Sequence, residues 1–222
     1  MTMTREGAYL AFLAMRWSIW IPLLAALPIT AQVTTGTTDP RVRTTALNDS
    51  VRQVDRLDKK GRTVLSTHYF QGDRAVGIWK EYDKKGALVD ERDMDILRYG
   101  EPEDFPESVP AVSTDPTDTS LALVGVMPEF PGGEAELINY LTTNIRYPRE
   151  AVDRDIQGLV HVYGVVDQTG DWRTISIVRG VHPLLDHEAW RVSDGMPDWR
   201  PCIQQGKPVP VKVKLPILFR LR

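Results

Sequence analysis

The end of the chain alternates without a break. Val209, Val211, Val213, Leu215, Ile217, Phe219 and Leu221 are apolar, and Pro210, Lys212, Lys214, Pro216, Leu218, Arg220 and Arg222 stand between them. Successive side chains of a strand point to opposite faces, so this strict period of two predicts one face on a core and the other towards solvent. Upstream, Leu185, Ala189, Val192 and Met196 recur at spacings of four, three and four. That predicts a helix with one buried face, opening near Pro183 and closing at Gly195. Leu137, Leu141 and Ile145 lie four apart and predict another helix. Pro148 suits the first position of a short second helix, where its missing N–H costs nothing. That helix should run towards Ile156 and stop at Gly158. Between these helices, residues 159–166 and 172–178 read as strands, joined by a hairpin turn at Asp167-Gln168-Thr169-Gly170 with its glycine late in the loop.

The first half of the chain carries a repeat. Asp58-Lys59-Lys60-Gly61 returns as Asp83-Lys84-Lys85-Gly86. Each reads as a turn in which glycine supplies a positive φ. Residues 63–70, 78–82 and 87–89 are rich in β-formers, and Gln71-Gly72-Asp73 makes a further turn. A small antiparallel meander over 46–98 is the economical solution. Residues 99–127 hold six acidic residues, no Lys or Arg, and prolines at 102, 106, 110 and 116. Such a stretch reads as a linker that lets the parts on either side tumble independently. The expected class is α+β: a C-terminal domain over 128–222, with helices packed on a three-stranded antiparallel sheet, preceded by a small antiparallel β meander.

The prolines of the last strand sharpen its placement. Residues two apart in a strand direct their backbone groups to the same lateral side. Pro210 and Pro216 are both at even positions, so both missing donors fall on one side. An edge strand tolerates this and a central strand does not. The odd positions therefore pair with the sheet, and the even side is free. Lys212 and Lys214 are the residues a protein uses to keep such an edge from pairing indiscriminately. From Trp199 onward there are six Lys or Arg and no acid.

Composition and charge narrow the function. A formal net charge of -3 gives no reason to expect a nucleic-acid partner. The single cysteine, Cys202, excludes an internal disulfide and reads as a buried thiol. No phosphate loop, nucleophile elbow or paired catalytic base is present, so neither an enzyme nor a cofactor is expected. His182 and His187 are five apart and would not align on a helix to hold a metal. Trp172, Trp190 and Trp199 read as core or half-core residues. Residues 17–29 form a short apolar run after Arg16, broken by Pro22 and Pro28 and followed by Ala31. This describes a secretory signal peptide over 1–31, cut after Ala31, and hence a periplasmic protein. The alternative is an inner-membrane anchor facing the periplasm, but spanning takes about 20 apolar residues and Arg16 interrupts that count.

Several motifs then fall in one order. They are Pro128-Glu129-Phe130-Pro131-Gly132-Gly133, Ile145-Arg146-Tyr147-Pro148, Gln157-Gly158, Asp167 to Gly170, Val178-Arg179-Gly180, Leu185-Asp186, Met196-Pro197 with Trp199 and Pro201, and Leu215-Pro216-Ile217-Leu218-Phe219. The ordered set resembles the C-terminal domain of the TonB energy-transducer family. The resemblance implies recognition of an outer-membrane TonB-dependent transporter, whose extended TonB box adds as a strand beside the final strand. On this sequence the implied partner-binding residues are Asn144, Ile145, Arg146, Tyr147 and Pro148, with Val211, Lys212, Val213, Lys214 and Leu215. If the N-terminal segment is retained as an anchor, contact with the ExbB/ExbD motor is implied. If it is cut, a soluble envelope adaptor uncoupled from that motor is the alternative. Tyr69-Phe70-x-Gly72 and Gly77-x-Trp79-x-x-Tyr82 weakly resemble MORN-like repeats.

Overall fold

The computed structural model describes residues 39–101, 112–113 and 124–221, so the expected signal peptide lies outside the described residues. Among the described residues no helix is long and apolar enough to cross a membrane.

The meander has five antiparallel strands in sequential order: β1 (Val42–Ala46), β2 (Val51–Leu57), β3 (Val64–Gln71), β4 (Arg74–Tyr82) and β5 (Leu88–Asp93). Both Asp-Lys-Lys-Gly turns close in the same way. The Asp58 carboxylate accepts from the N–H of Arg62 at 2.8 Å, and the Asp83 carboxylate from those of Lys85 and Ala87 at 2.8 and 2.9 Å. Gly61 and Gly86 take φ of 67° and 87°. The Asp167 hairpin uses the same device, its carboxylate accepting from Thr169 and Asp171. Aspartate pre-forms each turn and glycine supplies the left-handed step.

The C-terminal sheet is built from β8 (Gly158–Val166), β9 (Trp172–Arg179) and β12 (Val211–Phe219). β8 is central, and β12 pairs with it residue for residue over nine positions, from Val211 opposite Val166 to Phe219 opposite Gly158. The inward face of β12 carries Val211, Leu215, Ile217 and Phe219, all buried, as the alternation predicts. Against it lies α3 (Pro183–Asp194), whose Leu184, Leu185, Ala189 and Val192 are buried. Gly164 is needed because a Cβ there would come within 2.3 Å of the Trp172 ring. Gly170 is needed twice over: its φ is 98°, and a Cβ would meet the Trp199 carbonyl at 2.1 Å. Helices α1 (Glu134–Asn144) and α2 (Arg149–Asp153) precede the sheet, with Pro148 as the residue that caps α2. α2 stops at Asp153, sooner than Gly158, and Asp155 just beyond it takes φ 53°.

Three expectations need correction. Pro210 does not sit inside the last strand. Val209 belongs to a separate strand, β11 (Lys207–Val209), which forms a hairpin with β10 (Cys202–Gln204) through Gln205 and Gly206, both at positive φ. Only Pro216 therefore carries the argument for an edge. The linker is also less detached than its composition suggests. Tyr99 bridges to Ile177 of β9, β6 (Val112–Ser113) pairs parallel with Val211 and Lys212, and β7 (Val124–Val126) pairs with β10. Finally, the two halves do not stand apart. Trp79, Met94 and Leu97 of the first half share one buried cluster with Ile177, Leu184 and Phe219 of the second.

A buried ionic group reinforces that junction. Glu150 of α2 is 6% exposed. Its carboxylate lies 3.1 Å from His68 Nε2, 2.9 Å from Arg154 and 3.7 Å from Arg56. His68 is itself stacked on Trp79, ring centres 3.9 Å apart. Burial alone would push the Glu150 carboxyl up, but His68, Ser66 and Arg154 outweigh it and hold the group at about 2. A depressed carboxyl contributes stability that is complete above its ordinary pKa of 4.5 and lost as pH falls towards 2. Urea unfolding across that window should show an acid-sensitive component that Glu150→Gln removes. At neutral pH the same substitution removes the carboxylate that faces Arg154 and Arg56 and should cost roughly 3 kcal/mol.

α3 carries a second titrating device. His182 caps it by accepting the Leu184 N–H on Nδ1 at 3.2 Å. Burial, then the Arg154 charge, pushes the imidazole down to about 4. Protonation destroys the acceptor, so this contribution is complete above about pH 6.5 and lost as pH falls through 4. His182→Asn keeps a capping oxygen without a titrating group. Thermal denaturation between pH 7 and 4 should show a flatter profile for His182→Asn than for the parent chain.

Candidate functional site

The candidate site is the outer edge of β12 together with residues 144–148. On its inner side β12 has a complete partner in β8, and the ladder passes through Pro216, opposite His161, without a bulge. A proline in an unbroken ladder must turn its missing donor away from the partner strand. Even positions therefore face the outer edge. There β6 covers Val211 and Lys212 in parallel register. Among the described residues no strand pairs with the outer side of residues 213–219. Of the five expected edge residues, Val213, Lys214 and Leu215 lie on the open length, while Val211 and Lys212 are covered by the chain itself. That cover is the feature sequence reasoning missed, because residues 112–113 have no periodic pattern around them.

Charge accumulates beside this edge. His161 lies opposite Pro216 and Arg179, and Lys214 lies opposite Tyr163. Burial first, then the positive charges of Lys214 and Arg179, hold the His161 imidazole below its ordinary value. Lys214 and Leu218 are exposed, Leu218 at 62%.

Residues 144–148 sit at the far end of the same strand. The Tyr147 ring meets Phe219 edge to face at 5.7 Å, and its hydroxyl donates to the Ile156 carbonyl at 2.6 Å. Phe219 is six residues beyond Val213, about 20 Å along a strand. The two groups of expected site residues thus flank opposite ends of one edge and do not form a single pocket. Pro148 is buried and Tyr147 half-buried, so both build the end of the strand. Asn144 and Arg146 are exposed. Their backbone is already engaged: the Asn144 carbonyl accepts from Arg191 at 2.7 Å, and the Arg146 N–H donates to Glu188 at 2.5 Å. Arg191 in turn binds Glu188 bidentately, at 2.6 and 2.8 Å. This clamp fixes the segment, and its signal in the sequence is only a Glu and an Arg three apart on one helix. What the segment offers outward is the Arg146 guanidinium, which has no ion pair among the described residues.

The aromatic residues act as core. Trp172 and Trp199 stack at 5.2 Å, and Phe130 meets Trp199 edge to face. Cys202 is a buried free thiol. His182 serves as the α3 cap, and His187 is buried within α3.

Residues 143–221 match the family model for the Gram-negative bacterial TonB protein C-terminal. No curated protein and no solved structure gave a match. The matched span begins at the end of α1 and closes just past β12, so it takes in both groups of candidate residues. The family is a transport-associated, non-enzymatic one of the cell envelope, whose members interact with outer-membrane proteins. Over residues 143–221, a helix-backed antiparallel sheet that closes on β12, the chain is thus similar to the TonB protein C-terminal family.

Proposed function

We propose that this domain recognises an outer-membrane TonB-dependent transporter by adding an extended segment of it as a strand along β12, and that it serves energy transduction in transport from the periplasmic side. The observation that carries this reading is the asymmetry of β12. One side is paired over nine residues, and among the described residues no strand pairs with the other beyond Lys212. Open main-chain groups supply affinity in strand addition, and neighbouring side chains supply selection. Val213, Lys214 and Leu215 would meet the incoming strand. Arg146 and Asn144, at the Phe219 end, would contact what extends beyond it. Val211 and Lys212 become available only if β6 leaves.

A second reading, an envelope adaptor uncoupled from the ExbB/ExbD motor, is favoured by the docked meander. It gives the domain a second face for a second partner. The mature N-terminus separates the two. A chain starting near Gln32 supports the adaptor, and one retaining residues 17–29 in the inner membrane supports the transducer.

Lys214→Pro removes an outward N–H and leaves the β8 ladder intact. Affinity for a transporter-derived peptide, read by fluorescence anisotropy, should fall about tenfold or more, the equivalent of ~1–3 kcal/mol. The melting temperature should change little. Val213→Pro removes an inward ladder donor and should lower the melting temperature of the domain itself. Normal peptide binding by Lys214→Pro, with undiminished stability of Val213→Pro, would place the addition edge elsewhere.

A further inference from the structure

A cavity lies away from the β12 edge, in the cleft between the meander and α2. Its volume is about 730 Å³, within the ~300–1,000 Å³ usual for small-molecule sites. The β2–β3 turn, the β4–β5 turn and the first residues of α2 close around it.

Its electrostatics are lopsided in a chain that is acidic overall. Seven Lys or Arg residues line it against four carboxylates. Three of those carboxylates are already engaged: Asp58 by the backbone of its own turn, Glu81 by Arg92 at 3.0 Å, and Glu150 by the junction cations. Lys59, Lys60, Arg62, Lys84 and Arg149, by contrast, have no ion pair among the described residues. Two of these come from the first Asp-Lys-Lys-Gly turn and one from the second, so the repeat delivers positive charge to the same mouth twice. Bringing like charges together around one concavity costs energy unless a counter-charge enters. The walls add a second requirement. Leu57, Leu65 and Val89 expose apolar surface between the cations, Val89 at 54%. A purely ionic ligand would leave that surface in water.

We infer that this cleft is a binding site for a small multiply charged anion, with phosphate or carboxylate groups joined to an apolar portion. The anionic end would lie among Lys59, Lys60, Lys84 and Arg149, and the apolar end against Leu65 and Val89. The site does not depend on the strand-addition reading, because its lining holds no residue of β12 or of residues 144–148.

Two probes test it on the intact chain by isothermal titration: octyl phosphate, which carries both features, and pyrophosphate, which carries only charge. Octyl phosphate is expected to saturate at one per chain, more tightly than pyrophosphate, and to weaken as salt is raised. Lys60→Gln combined with Lys84→Gln should weaken octyl phosphate about tenfold. Both residues are exposed in turns, so the melting temperature of the double variant should stay that of the parent. Leu65→Asn should narrow the difference between the probes. Absence of saturable binding by either probe overturns the proposal, as does full binding by the folded double variant. Pyrophosphate binding as tightly as octyl phosphate overturns the assignment of an apolar portion.

Discussion

The nine-residue ladder between β8 and β12 fixes everything around it. Because side chains alternate, the register that sets Leu215 opposite Val162 and Ile217 opposite Val160 also decides which face of both strands meets α3. Slipping by one residue would turn Lys214 and Pro216 inward and put Leu215 and Ile217 in water. Each large apolar side chain so exposed would forfeit about 1.5–3 kcal/mol. The same ladder consumes one lateral side of β12 completely. Any strand added to β12 therefore has to use the side the ladder leaves over.

The meander is held to this sheet by two unlike forces. Trp79, Met94 and Leu97 extend the apolar core, which fixes proximity without fixing orientation. The Glu150 carboxylate fixes orientation, because a charge that is 6% exposed is tolerated only where polar partners and counter-charges reach it. The His68 ring, from β3, and the Arg154 guanidinium, just beyond α2, reach it from two directions. The stack of His68 on Trp79 ties the apolar and ionic contacts into one unit. Tyr99 adds a third tie. Its hydroxyl donates to Asp186 at 2.9 Å, while the adjacent backbone pairs with Ile177. A segment that composition presents as a spacer thus begins as part of the sheet edge.

What could be read from the sequence follows local rules. Period-two alternation found β12, spacings of three and four found α3, and Asp with a late Gly found three turns that close with the same hydrogen bonds. What escaped is non-local. Val42–Ala46 and Val112–Ser113 have no amphipathic pattern of their own and become strands because a neighbouring edge has unpaired groups. The Lys207–Val209 hairpin was hidden because its alternation runs in phase with β12 across Pro210. The clamp of Glu188 and Arg191 on residues 144–146 spans more than forty positions of chain, beyond any local signal.

The open length of β12 is short, and that limits how a partner strand could hold on. Even positions face outward, so Lys214 and Leu218 each present an N–H and a C=O, and Pro216 presents only a C=O. These come to about five groups, each worth some 0.5–1.5 kcal/mol net when paired. The total, roughly 2.5–7.5 kcal/mol, reaches only the lower part of the ~4–15 kcal/mol that association costs in lost freedom. Displacing β6 would add the two groups of Lys212 but would forfeit the pairing that β6 already supplies there. Main-chain addition alone therefore leaves binding near balance, and side chains must decide it. The exposed Leu218 and the Arg146 guanidinium, which has no ion pair among the described residues, both belong to this end of the strand, each next in the chain to a member of the Phe219–Tyr147 pair. If a partner does add as a strand here, these magnitudes put its selection at the Phe219 end and leave the edge itself to supply register more than affinity.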